Sequence, residues 1–98
     1  ARARVVAADA TRWHPEGGPC HVVYVDPPYA VADDDVRGVL TALVVHGALA
    51  KGALVVVERS VRSHEPWPGS GWEELRKRDY GDTALWYGRA SRSAIEEA

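Results

Sequence analysis

The chain has 98 residues, 46% of them apolar, and its twelve basic and fourteen acidic side chains give a net charge of −2. A domain this small buries only roughly 60–65% of the surface its unfolded chain exposes, so it holds one core at most. The near-balanced charge does not advertise a nucleic-acid binder, so any such role must rest on local patches or on sequence not present here. No apolar run approaches the roughly 20 residues that span a bilayer, and the single cysteine, Cys20, excludes an internal disulfide. The first residues lack the pattern of a signal peptide, so the expected compartment is the cytoplasm.

Ala3 to Ala8 is apolar, contains two valines and ends at Asp9, which predicts a short strand delivering an acid at its C-terminal edge. His14 to Pro19 holds two prolines and two glycines and is expected to be a connection. His21 to Val25 is a continuous β-branched run of the kind buried on both faces of a parallel sheet, and it stops at Asp26-Pro27-Pro28. From Ala32 to His46, Val36, Val39, Leu40, Leu43 and Val44 recur at helical spacing on one face. Asp33, Asp34 and Asp35 begin that helix, supplying an N-cap and negative charge against the positive end of its dipole, which accounts for the acidic run without a metal. Ala53 to Glu58 is a second buried strand, so strand, helix and strand make a right-handed crossover. Ser63 to Gly71 is a loop, and Trp72–Tyr80 and Thr83–Arg89 are strands joined by a tight turn at Gly81-Asp82. The expected fold is therefore α/β: a partial Rossmann-like sheet of parallel strands with a crossover helix, ending in an antiparallel hairpin. Residues 1–90 form one domain and residues 91–98 a polar, alanine-containing tail.

The chemistry centres on Asp26-Pro27-Pro28-Tyr29. Two consecutive prolines fix φ, remove two backbone donors and hold the preceding residue extended. What remains is a rigid pair of acceptors, the Asp26 carboxylate and the Pro27 carbonyl, matched to the two N–H donors of an exocyclic amine on a planar ring. The lone pair of such an amine is delocalised, and accepting its two hydrogen bonds favours a pyramidal nitrogen aimed at an electrophilic methyl group. Tyr29 would stack on the base, which must leave its own stack to reach the pocket. The plainer reading is a rigid turn with Asp26 capping local amides and Tyr29 in the core. The position favours the functional one, because open α/β sheets bind ligands at the C-terminal ends of their strands.

With these residues the chain resembles the class I, Rossmann-like methyltransferases, and within them the small bacterial 16S rRNA guanine-N2 methyltransferases. The resemblance covers nearly the whole chain and rests on Val6-Ala7-Ala8-Asp9-Ala10, Val22 to Tyr29, Val55-Val56-Val57-Glu58-Arg59-Ser60 and Tyr80-Gly81-Asp82-Thr83. It implies S-adenosylmethionine as cofactor, with Asp9 and Ala10 near its adenine and Asp26 at the cofactor as well as at the base. It also implies that Asp26, Pro27, Pro28 and Tyr29 form the catalytic element holding the guanine, and that the partner is 16S rRNA or the small ribosomal subunit. A monomer is expected, without metal or membrane.

The family's sheet would place the first strand at one edge, separated from the next by two strands for which this sequence has no counterpart. Nor does it contain the glycine-rich turn that holds the cofactor, so the expectation is the C-terminal part of a methyltransferase domain, inactive by itself. Asp-Pro-Pro-Tyr alone also serves DNA adenine-N6 and cytosine-N4 methyltransferases, and a non-catalytic binding or scaffold module is the alternative of another class. His14, His21, His46, His64 and Cys20 lack metal-ligand spacing. Trp13, Trp67, Trp72 and Trp86 read as packing residues, and Arg76-Lys77-Arg78, with Arg59 and Arg62, as solvated surface.

Overall fold

The computed structural model describes residues 3–6, 20–27, 30–69 and 71–91. Five strands and one helix follow in the order β1 (Ala3–Val6), β2 (Cys20–Val25), α1 (Asp33–Val45), β3 (Leu49–Ser60), β4 (Trp72–Tyr80) and β5 (Thr83–Ala90). They build one sheet of order β1-β2-β3-β5-β4, parallel from β1 to β3 and antiparallel from β3 to β4. This is the mixed α/β architecture expected from the sequence.

The helix buries the face its spacing predicts: Val36, Val39, Leu40 and Leu43 are buried, and Val44 packs at the rim. They meet Val23 and Val25 of β2, Val55 and Val57 of β3, and Ala84, Trp86 and Ala90 of β5 in one core. Strand alternation puts the remaining residues, among them Val22, Tyr24, Leu54, Glu58, Leu85 and Tyr87, on the opposite face, where these six are not buried. Trp67, from the loop after β3, closes the helix-side core and stacks on Trp72, with ring centroids 5.6 Å apart. It crosses Gly88, where a Cβ would lie 2.5 Å from the Trp67 ring, so the strand needs glycine there for space.

Three features differ from the sequence reading. β1 pairs directly and in parallel with β2, from Ala3 with Val22 to Val6 with Val25, rather than standing two strands away. An open edge of β2 presents unpaired N–H and C=O groups that β1 satisfies. β3 begins at the buried Leu49, four residues before the expected start at Ala53, and the β2–β3 register takes two steps on β2 against five on β3 between Cys20–Leu49 and Val22–Leu54. Gly52, at φ +74°, supplies the backbone conformation of that irregular stretch. The N-cap of α1 is Ala32, with no side-chain cap, because the Asp33 carboxylate is engaged elsewhere. All three aspartates do lie in the first turn, where the dipole favours them.

The hairpin forms as expected, with Gly81 at φ +58° in the first turn position, as a type II′ turn requires. β4 is the outer strand, exposed from Glu73 to Tyr80, with a bulge between Glu74 and Arg76. Lys77 lies 4.7 Å over the Trp86 ring and 3.6 Å from Asp79, and Arg78 lies 5.4 Å over the Tyr80 ring, so two members of the basic cluster are partnered within the chain.

Candidate active site

β2 ends at Val25, opposite Val57, while β3 runs on to Ser60. Val25 pairs with Val57, so one residue further along this parallel register Asp26 and Glu58 come together on the face opposite the helix. One pleat back on the same face, the Tyr24 hydroxyl donates to Glu58 Oε1. The sheet thus gathers two carboxylates and a phenol at the C-terminal ends of adjacent parallel strands, the position at which such sheets bind ligands.

The electrostatics follow from this crowding. Asp26 is raised above the ordinary carboxylate range, first by desolvation and then by the charge and hydrogen bonding of Glu58. Tyr24 is pushed up to about 12, chiefly because its proton is held in the hydrogen bond to Glu58, with desolvation and the Glu58 and Asp26 charges adding to it. At neutral pH Tyr24 is therefore a neutral donor. Pro27, directly after Asp26, is fully buried and anchors the turn from below.

The far side of that turn is fixed from β3. Arg59 is only 4% exposed, and its Nη2 donates to the Val31 carbonyl at 2.9 Å and to Asp33 Oδ1 at 3.0 Å. His64 Nδ1 lies 3.0 Å from the other Asp33 oxygen. These contacts hold the Asp33 carboxyl below its usual range, His64 contributing most and Arg59 next, against an opposing effect of burial. Arg59 is thus a buried clamp, not the solvated charge the sequence suggested; Val55, Val57 and Arg59 share one face of β3 because they alternate. Its Nη1 is buried without a hydrogen-bond partner. Past the end of β3, a cleft of about 320 Å³ opens between Ser60, Val61, Arg62 and Asp82.

Of the site residues expected from sequence, Asp26 and Pro27 lie at this strand end, while Asp9, Ala10, Pro28 and Tyr29 lie outside the described residues, as do Trp13, the 14–19 connection and residues 92–98 of the tail. Trp67 and Trp86 are buried and Trp72 packs on the core, as packing residues should. Among the described residues no cluster of His, Cys, Asp and Glu could hold a metal, and no helix is long and apolar enough to cross a membrane. The sequence reading passed over Tyr24, Glu58 and Arg59 as site residues. Period-two alternation along β2 and β3 was the signal that sets Tyr24 and Glu58 on one face and Arg59 on the other.

Residues 2–89 match the family model described as conserved hypothetical protein 95. The chain belongs to that family. Solved structures similar to it include a candidate methylase of Haemophilus influenzae, with a TM-score of 0.66 at 20% identity over 87% of this chain and 51% of that one. A candidate methyltransferase of Escherichia coli gives 0.65 at 27% identity over 79% of this chain and 42% of that one. A conserved hypothetical protein of Streptococcus pyogenes gives 0.65 at 21% identity, over 79% and 46%. The chain spans about half the length of these structures. No curated protein matches it.

A methyltransferase would draw its methyl group from S-adenosylmethionine, and what the described residues offer such a molecule is charge alone. The Asp26 and Glu58 carboxylates bring negative charge to the strand ends, which suits a sulfonium. The adenine contacts implied for Asp9 and Ala10 lie outside the described residues, and the sequence contains no glycine-rich turn between a strand and a helix to seat the methionine part.

Proposed function

We propose that this chain is the acceptor-binding part of an enzyme that methylates the exocyclic N2 amine of a guanine in 16S rRNA, using S-adenosylmethionine. The observation that carries the reading is the end of β2: Asp26 sits beside Glu58, followed by the buried Pro27, within a sequence that continues Pro28-Tyr29. In this reading the Asp26 carboxylate and the Pro27 carbonyl accept the two amine hydrogens and orient the nitrogen lone pair. Pro28 keeps the backbone extended, Tyr29 stacks on the extruded base, and Arg59 holds the following residues through the Val31 carbonyl. S-adenosylmethionine, when bound, supplies the electrophilic methyl group. Asp9 and Ala10 would meet its adenine.

The ribosomal substrate is supported by the Val-Glu-Arg strand and the Tyr-Gly-Asp-Thr turn, which accompany the Asp-Pro-Pro-Tyr element in the group this sequence resembles. The test is methyl transfer by the full-length protein to undermethylated small ribosomal subunits and, in parallel, to DNA. Transfer to a guanine N2 of 16S rRNA is expected. Transfer only to DNA would overturn the assignment, and an Asp26→Ala variant with unchanged turnover would overturn the role of the motif.

A further inference from the structure

Glu58 takes no part in holding the base in the reading above, yet it occupies the position beside Asp26. We propose that Glu58 is the specificity-determining residue of the acceptor site, a third acceptor that takes the ring N–H next to the target amine and so selects guanine over other amino-bearing bases. This rests on the guanine-N2 reading and deepens it.

Among the described residues, Asp26 and Glu58 are short of donors. Two carboxylates offer roughly four lone-pair sites each, and among the described residues the Tyr24 hydroxyl is the donor to Glu58. No lysine or arginine among the described residues forms an ion pair with either carboxylate. The parallel register sets the two acids side by side, one residue beyond the Val25–Val57 pair. A ligand edge rich in N–H groups supplies what is missing, and one carrying lone pairs is repelled.

The amino-bearing bases differ at this point. The amine of guanine is flanked on its pairing edge by a protonated ring nitrogen, N1–H. The amine of adenine is flanked there by N1 and that of cytosine by N3, both acceptors. A row made of Asp26, the Pro27 carbonyl and Glu58 therefore matches three hydrogens on guanine, and sets a carboxylate against a lone pair on the other two. Sites built to accept a substrate N–H reject analogues lacking it far more strongly than apolar pockets reject a missing methylene. Tyr24 is a positioning residue: by engaging Oε1 it leaves Oε2 of Glu58 for the base.

The experiment uses the full-length protein and 16S substrates carrying either guanine or 2-aminopurine at the methylated position. 2-Aminopurine keeps the 2-amine but has an unprotonated N1. The unmodified protein is expected to favour guanine by roughly 100-fold or more in kcat/KM. Glu58→Gln presents an amide donor where the carboxylate stood. It should lower kcat/KM for guanine by roughly 10- to 100-fold and shrink or invert the preference, an effect that a purely structural role would not produce. Tyr24→Phe keeps the ring packing and releases Glu58, and should reduce the same preference several-fold. A folded Glu58→Gln or Tyr24→Phe protein with the guanine preference unchanged overturns the proposal. An unmodified protein that methylates adenine in DNA and no guanine overturns the functional reading itself, and the two failures are therefore distinguishable.

Discussion

Replacing Arg59 by Met tests whether the acceptor turn is held by a buried ion pair. The guanidinium is 4% exposed and donates to the Val31 carbonyl and the Asp33 carboxylate at 2.9 and 3.0 Å. Removing one partner of a buried pair typically costs 3–5 kcal/mol, because the other charge is left uncompensated. Asp33 keeps a quarter of its side-chain surface in solvent and retains His64, so the cost here should fall to about 2–3 kcal/mol. In a domain near 100 residues this lowers Tm by roughly 10–20 °C. The assay is urea unfolding followed by tryptophan fluorescence for the unmodified protein, Arg59→Met, Asp33→Asn and the double variant. A coupling of about 1–3 kcal/mol is expected between the two sites. A coupling under about 0.5 kcal/mol would refute the clamp and leave the turn's position to the buried Pro27.

On the proposed function, Asp26→Asn should abolish methyl transfer by the full-length protein yet stabilise the fold at neutral pH. A carboxyl raised in the folded state contributes stability only at low pH, and loses it as pH rises through the folded value. Urea midpoints at pH 4 and pH 7 would show the difference, and a variant less stable than the parent at pH 7 would contradict it. Asp33 runs the other way. Its lowered carboxyl contributes stability above the unfolded value, lost as pH falls through the folded one, so Asp33→Asn should flatten the acid limb of the stability profile below about pH 4. Spectrophotometric titration of the tyrosines should contain one phenol ionising at about 12, absent in Tyr24→Phe. Gly88→Ala should destabilise by about 1–3 kcal/mol, since the new methyl overlaps the Trp67 ring, and a wild-type Tm would place Trp67 elsewhere.

Much of the fold was legible because its signals are local. The three-and-four spacing of Val36, Val39, Leu40 and Leu43 dictates a buried helical face, and Gly81-Asp82 between two strand-like runs dictates a hairpin. Pairing of β1 with β2 was not legible, because it joins residues 19 apart along the chain and depends on which edge is open. The early start of β3 was hidden by Gly52, which the strand accommodates at positive φ within an irregular register. At the site, Asp26 and Pro27 were found because prolines after a strand are conspicuous. Tyr24 and Glu58 were passed over because in sequence one looks like a strand filler and the other like a strand end. Tyr24 shares a face with Asp26 by alternation along β2, but only the parallel register brings Glu58 beside it. Arg59 was misread because charge suggests solvent, whereas its place in the alternation of β3 carries it inward.

The bulged outer strand has a consequence for how this protein behaves when crowded. From Glu73 to Asp79, β4 places acids and bases on both of its faces, with six charged side chains out of seven, so a second molecule docking edge to edge would have to strip water from many of them at once. The bulge between Glu74 and Arg76 also spoils the straight ladder that such stacking needs. That border works as a barrier to runaway polymerisation, and it gives the run of arginine and lysine a purpose that requires no nucleic acid at all.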